Sequence, residues 1–101
     1  MYLRVSGEGT SLEDPEDLKR FHIEMAAEVT DPVAALTGWA RLDGDHAWVD
    51  VEAVRRAAGG RVGARWDADF AGMLDYARAK GWLSEDGTAI QAHVERVAPT
   101  A

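Results

Sequence analysis

The sequence predicts a small single α+β domain, and three observations support this fold class. The stretch 66–83, WDADFAGMLDYARAKGWL, has apolar residues spaced three and four apart, the period of an amphipathic helix. Two Asp-Gly dipeptides, at 43–44 and 86–87, lie between segments in which apolar and polar residues alternate, a pattern typical of β-hairpins. The 101 residues, 47% of them hydrophobic, fit one domain with one core.

The helix over 66–83 is the element against which the rest of the chain is expected to pack. Asp67 is predicted to cap its N-terminus, and Gly81 is predicted to close its C-terminus in the left-handed conformation. We interpret its apolar face as part of the core rather than as a ligand pocket. That face contains Trp66, Phe70, Met73, Leu74, Ala77, Trp82 and Leu83.

Two elements are predicted at the beginning of the chain. Residues 1–6 alternate apolar and polar side chains and are expected to form a half-buried strand. Asp14-Pro15 is typical of a helix start, and Asp31-Pro32 of a helix end, so a helix is predicted from Asp14 to Val29. Its buried stripe would contain Leu18, Phe21, Met25 and Val29.

The segment 36–51 has the strongest hairpin pattern, because Asp43-Gly44 suits a two-residue type I′ turn. In that register Arg41 lies opposite His46, and Trp39 lies opposite Trp48. All four side chains would then share one face of the hairpin. Two interpretations stay open: these residues form a recognition face for a protein partner, or the tryptophans pack in the core.

The remaining elements follow from caps and alternation. Asp50 is expected to cap a short helix over 51–58, which Gly59-Gly60 ends. The segment 82–97 is predicted to be a second hairpin, with a long half-buried strand as its last arm. The tail, residues 97–101, is expected to be frayed.

This order of elements resembles a winged-helix domain over most of the chain, with AKGWLSEDGTAIQAHVERV resembling a last helix that runs into its wing. The resemblance is one of element order and involves no specific motif. It implies DNA binding by the longer helix in the major groove. The matching positions are Arg61 and Arg65 before that helix, and Arg78 and Lys80 at its end.

The sequence departs from that DNA-binding pattern in its charges. Acids occupy the wing, Glu85-Asp86-Gly87, and the longer helix carries Asp67, Asp69 and Asp75. Since phosphate contacts dominate affinity for DNA, these acids favour a protein-interaction module. If the short helix is an insertion, an alternative architecture is the ferredoxin-like sandwich with the order βαββαβ, which is also α+β.

The net charge of −7 is unevenly spread. Residues 55–80 hold six Lys/Arg against three Asp, so this segment is either ordinary solvated surface or an anion-binding face. The absence of cysteine excludes disulfides and thiolate metal sites. Because no apolar run suits a membrane span and no signal-peptide pattern is present, we expect no membrane contact and a cytoplasmic location.

The histidines His22, His46 and His93 have no metal-ligand spacing, so neither a metal site nor a cofactor is predicted. His93 and Glu95 share one face of the last strand. With His46 and Arg41 on the neighbouring hairpin they could form an acid–base cluster, which would indicate a small enzyme or ligand-binding protein.

Three functions therefore remain, and the leading prediction is a non-catalytic interaction or accessory module of a cytoplasmic system. Its partner would be another protein or a second copy of the chain, with a homodimer favoured because a small domain can bury tryptophans in a dimer. The alternatives are a DNA-binding regulator and a small enzyme or ligand-binding protein.

Overall fold

The computed structural model describes residues 1–97, which form an α+β domain with one six-stranded mixed sheet and three helices. In chain order the elements are β1 (Tyr2–Ser6), β2 (Gly9–Glu13), β3 (His22–Ala26), α1 (Pro32–Ala35), β4 (Ala40–Asp43), β5 (His46–Asp50), α2 (Val51–Ala58), α3 (Trp66–Lys80) and β6 (Ala89–Val97).

The order of strands in the sheet is β2-β1-β3-β6-β5-β4. The hairpins β1–β2 and β4–β5 are antiparallel and form its two sides. In the middle, β3 runs parallel to both β1 and β6, and β6 runs antiparallel to β5. Strands from the beginning and the end of the chain therefore lie side by side at the centre.

One face of the sheet forms the core. Side chains that alternate along the strands, such as Leu3, Ile23 and Val49, are buried there. Helices α2 and α3 contribute their own buried side chains to the same cluster. From α2 these are Val51, Val54 and Ala58, and from α3 they are Trp66, Phe70, Leu74 and Ala77.

Helix α3 confirms most of the prediction for 66–83. Gly81 has φ 81°, and its N–H bonds back to the last turn, as expected of a left-handed cap. Two details were wrong. The N-cap is Arg65, without a side-chain cap bond, and Asp67 lies within the first turn. Trp82 is 44% exposed and packs its ring edge-on against Tyr76 at 6.0 Å, so it is not part of the buried face.

The predicted helix from Asp14 to Val29 is wrong. The chain turns after β2 and then forms β3, in which Ile23 and Met25 are both fully buried. A period of two buries these two residues, whereas a helix would place them about 200° apart. Asp14 has φ 49°, outside the extended region that an N-cap residue normally adopts. Asp31-Pro32 begins α1 instead of ending a helix, since Asp31 Oδ1 accepts a hydrogen bond from the Ala34 N–H at 3.2 Å.

The hairpin over 36–51 is confirmed as β4–β5, but its loop is Gly44-Asp45. Of these two loop residues only Gly44 has a positive φ, 65°, which is the pattern of a type II′ turn rather than type I′. Arg41 therefore pairs with Trp48 instead of His46. Because the loop lies one residue later than predicted, each residue of β4 pairs with a residue two positions further along β5. A shift of two keeps side chains on the same face, so Arg41, His46 and Trp48 still share one.

The predictions after this hairpin are largely confirmed. Asp50 caps α2 by accepting a hydrogen bond from the Glu52 N–H at 3.1 Å. The second hairpin is reduced to a single bridge between Leu83 and Ile90, because β6 pairs along its length with β3 and β5. Of the tail expected to be frayed, Val97 belongs to β6 and residues 98–101 lie outside the described residues.

The helices are short or charged. The longest, α3, has 15 residues and carries five charged side chains, and none of the helices over residues 1–97 has the length and apolarity needed to cross a bilayer.

Candidate functional site on the open face of the sheet

The face of the sheet opposite the helices, here called the open face, carries the candidate functional residues. Because side chains alternate along a strand, the residues between the core positions all point to this side. They are exposed or half-buried, and many are aromatic or titratable. They include Tyr2, Arg4, His22, Glu24, Arg41, Asp43, His46, Trp48, Gln91, His93 and Glu95.

Four rings form a line across the open face, here called the ring row: Tyr2, His22, His93 and His46. Each is the register partner of the next, from β1 through β3 and β6 to β5. Tyr2 stacks on His22 with centroids 5.2 Å apart, and His46 meets His93 edge-on at 5.6 Å. All three histidines of the chain therefore lie in one row.

Carboxylates flank the ring row. His22 Nε2 lies 3.4 Å from Glu24 Oε1, and Glu24 is the register partner of Glu95. His46 Nδ1 lies 2.7 Å from Asp45 Oδ1, an ion pair when the imidazole is protonated.

The ligand atoms of His22, Glu24 and Glu95 lie within 4.8 Å of one another, close enough to suggest a shared cation. Sequence reasoning placed His22 on a helix, so it could not bring His22 beside Glu95. A signal was present nevertheless, because the triplet His-x-Glu occurs twice, at 22–24 and at 93–95.

The predicted acid–base cluster is brought together in part. His93 contacts His46, whereas Glu95 lies on the other side of His93, next to Glu24. Arg41 pairs with Trp48 and belongs to the next row of the sheet.

Tyr2 is the proton-bearing group at the end of the ring row. Desolvation by the surrounding protein, followed by the negative charge of Glu24, raises the pKa of the Tyr2 hydroxyl above its ordinary value of 10. At neutral pH this hydroxyl therefore stays protonated, and it can donate a hydrogen bond.

The predicted interaction residues Trp39, Arg41 and Trp48 lie together in an open recess of about 630 Å³, here called the tryptophan recess. Its remaining lining comes from Gly38, Ala40, Asp50, Ser84, Asp86, Thr88 and Ala89. His46, the fourth predicted residue, lies two positions from Trp48 on β5 and belongs to the ring row.

Both tryptophans of the recess are half-buried. Trp39 packs partly against the core, and its backbone is fixed by bonds of its N–H to Leu36 O at 2.9 Å and of its C=O to the Asp50 N–H at 2.8 Å. Trp48 Nε1–H donates to Asp43 Oδ2 at 3.2 Å, which orients its indole. Trp39 therefore packs partly against the core, and both tryptophans line the recess. That they form a recognition face for a protein partner stays a prediction.

Asp86 is the carboxylate most firmly held at the recess. Its Oδ1 accepts bonds from the Thr88 hydroxyl at 2.7 Å, the Ser84 hydroxyl at 2.8 Å and the Thr88 N–H at 3.1 Å. These bonds, led by that from the Thr88 side chain, lower the pKa of Asp86 to about 2. Since all three bonds use Oδ1, the ionised group presents Oδ2 without a partner among residues 1–97.

The residues of the nucleic-acid alternative do not form one patch. Arg61, Arg65, Arg78 and Lys80 are all exposed. Arg65 and Arg78 lie at opposite ends of α3, roughly 20 Å apart at 1.5 Å per residue. The exposed surface of α3 between them carries the acids Asp67, Asp69 and Asp75.

No family model, curated protein or solved structure matches this chain.

Proposed function

We propose that this protein is a protein-interaction module that binds a basic segment of a partner protein in the tryptophan recess. The observation that carries the proposal is that Trp39 and Trp48 line one open recess together with Asp50 and Asp86. Tryptophan is enriched among the residues that dominate binding energy at protein interfaces, so a pair of them in a recess suits an anchor site.

A cationic side chain is the chemistry that this lining fits. Tryptophan has the most favourable ring for a cation, and within residues 1–97 the cation–π contacts involve Phe70 and Tyr76 rather than the recess tryptophans. Asp50 and Asp86 outnumber Arg41, which gives the lining a net charge of −1. The low pKa of Asp86 keeps its charge in place over the physiological range.

The charge of the whole chain supports the same partner. A domain of net charge −7 attracts a basic segment and repels an acidic one. The attraction should be screened by salt, whereas the contact of apolar stems with the indole rings should persist.

Tryptophan fluorescence tests the proposal with a lysine- and arginine-rich peptide and an acidic peptide of equal length. We expect only the basic peptide to change the emission saturably, with weaker binding at higher salt. In Trp48→Ala the affinity should fall at least tenfold. Trp82→Ala is the matched control, because Trp82 is an exposed tryptophan that lines a different recess, next to Tyr76. Equal loss in both variants, or equal binding of both peptides, would overturn the proposal.

A second copy of the chain is the competing occupant, in line with the predicted homodimer. Sedimentation velocity over a range of protein concentrations distinguishes self-association from binding of a basic partner. A dimer that Trp48→Ala dissociates would assign the recess to self-association instead of a basic partner.

The winged-helix resemblance and DNA binding form the less favoured alternative. The helix predicted at Asp14–Val29 is replaced by β3, and the last arm of the expected wing is the central strand β6. The four basic residues are also divided between the two ends of α3. The ferredoxin-like order βαββαβ also needs the helix predicted at Asp14–Val29, which β3 replaces. DNA binding would instead predict salt-sensitive affinity for duplex DNA that falls in Lys80→Gln.

The acid–base alternative rests on the Asp45–His46 pair and on the contact of His46 with His93. Its imidazoles lie on the surface of the sheet, where His46 is half-buried and His93 is exposed. A binding function of the open face therefore agrees better with the geometry than catalysis does.

A further inference from the structure

We propose that His22, Glu24 and Glu95 bind a divalent first-row transition metal ion such as Zn²⁺ on the open face of the sheet. This site lies on β3 and β6 and is separate from the tryptophan recess, so it does not depend on the proposed function.

The site arises from one triplet that occurs on two neighbouring strands. His22-Ile23-Glu24 lies in β3 and His93-Val94-Glu95 lies in β6. Since these strands are parallel and in register, His22 pairs with His93 and Glu24 pairs with Glu95. Ile23 is fully buried and Val94 is partly buried against the core, while the four groups of metal-binding type form a two-by-two block on the open face.

The distances suit a metal ion without rearrangement of the backbone. Two ligands of tetrahedral Zn²⁺, each about 2.1 Å from the ion, are roughly 3.4 Å from each other. His22 Nε2 and Glu24 Oε1 are 3.4 Å apart. The ligand atoms of all three residues lie within 4.8 Å of one another, so a change in the χ angles of Glu95, which is exposed, is sufficient to complete the set.

The charges at this block also favour a cation. Glu24 and Glu95 are like charges at paired positions of adjacent strands, an arrangement that destabilises a sheet when nothing compensates it. Arg4 is the partner of Glu24 on the other side, in β1. Within residues 1–97, however, the ion pair that Glu24 forms is with His22, and His22 is charged only when protonated. A divalent ion between the two carboxylates would remove the repulsion while His22 remains neutral.

The donor set selects the class of metal. One imidazole nitrogen with two carboxylates suits Zn²⁺ and its neighbours in the first transition row, whereas Ca²⁺ and Mg²⁺ prefer oxygen ligands. Tyr2 stacks on the His22 ring and restricts its orientation. Three protein ligands leave a fourth position for water or for a group from a partner.

Calorimetric titration of the full chain with Zn²⁺ tests the site. We expect one ion per chain, an affinity that falls as the solution is acidified, and a higher melting temperature with the ion present. In His22→Gln and Glu95→Gln the affinity should fall about tenfold or more. His46→Gln is the matched control, because it removes an open-face histidine that is already paired with Asp45.

Mn²⁺ locates the site in the unmodified chain, because its unpaired electrons broaden nearby amide resonances. Broadening centred on residues 22–24 and 93–95 would support the proposal even if a variant failed to fold. Absence of binding up to millimolar Zn²⁺, or equal loss in His46→Gln and Glu95→Gln, would overturn it. The peptide titrations use metal-free protein. A negative result at the metal site therefore does not affect the test of the tryptophan recess, and a negative peptide titration does not affect the test of the metal site.

Discussion

Gly81 and Asp86 lie in turns, the first with a left-handed backbone and the second with a hydrogen-bonded carboxylate. Gly81 has φ 81° where α3 ends, a conformation that costs side-chain-bearing residues free energy. Gly72, in the middle of the same helix, has no such requirement, and a Cβ added there would meet open space. A side chain is therefore strained at position 81, whereas position 72 has room for one in an ordinary helical conformation.

Gly81→Ala should lower the free energy of unfolding by about 1 kcal/mol, because alanine is strained at positive φ. Gly72→Ala, the same substitution nine positions earlier, should raise it by about 0.5–1 kcal/mol, since alanine favours the helix. Urea denaturation of both variants measures the difference. Changes of the same sign would contradict the helix boundaries described above.

Asp86 makes stability depend on pH in a defined window. Its pKa in the folded protein is about 2, below the ordinary 3.8, so the bonds to its ionised form stabilise the fold above pH 3.8. That contribution is lost as the pH falls from 3.8 towards 2. Asp86→Asn lacks this contribution, so the difference in free energy of unfolding between wild type and variant should shrink over that window.

Denaturant unfolding of both proteins at several pH values measures this difference, and the other acids cancel because both chains contain them. A difference that stays constant across the window would show that the three bonds to Oδ1 do not stabilise the ionised form.

At the scale of elements, α3 holds the helical layer to the sheet through one narrow face. Trp66 and Phe70 stack with their centroids 4.6 Å apart, and Trp66 Nε1–H also donates to Pro15 O, which connects α3 to the loop before β3. The opposite face of the helix is exposed and charged. Side-chain deletions should therefore have very different costs on its two faces.

Phe70→Ala should lower the free energy of unfolding by about 3–5 kcal/mol, because it removes a fully buried ring and leaves a cavity. Tyr76→Ala, which removes a ring that is 59% exposed on the other face, should cost less than about 1 kcal/mol. Thermal or urea denaturation compares them. Similar losses would mean that α3 packs on a different face.

The elements that could be predicted were those with local signals. Asp50 and Gly59 are the caps at the two ends of α2, and Gly81 is the cap at the end of α3. At these positions the capping residues and the helical period predicted the same boundaries. The segment 14–29 could not be predicted in this way, because Asp14-Pro15 and the apolar spacing of Leu18, Phe21 and Met25 imitate a helix. What makes 22–26 a strand is its pairing with β1 and with β6, about 70 residues later, which no local pattern contains.

For the whole molecule, the same long-range pairing determines which part of the open face could be foreseen. Trp39, Arg41 and Trp48 come from one hairpin, and the sequence placed them together correctly even though the loop was shifted by one residue. Asp86 joins them from a distant turn and was not foreseen as a site residue. The ring row requires β3 and β6 to be neighbours, so the position of His22 beside His93 followed from the sheet order alone.

An amide NMR titration of ¹⁵N-labelled protein with the basic peptide tests directly whether the tryptophan recess binds a basic segment. We predict shifts concentrated at residues 38–41, 48–50 and 84–89, the three segments that line the tryptophan recess. Trp48→Ala should reduce these shifts, and Trp82→Ala should leave them. Shifts centred on residues 61–80, or a spectrum that the peptide leaves unchanged, would contradict the assignment of the recess as the binding site.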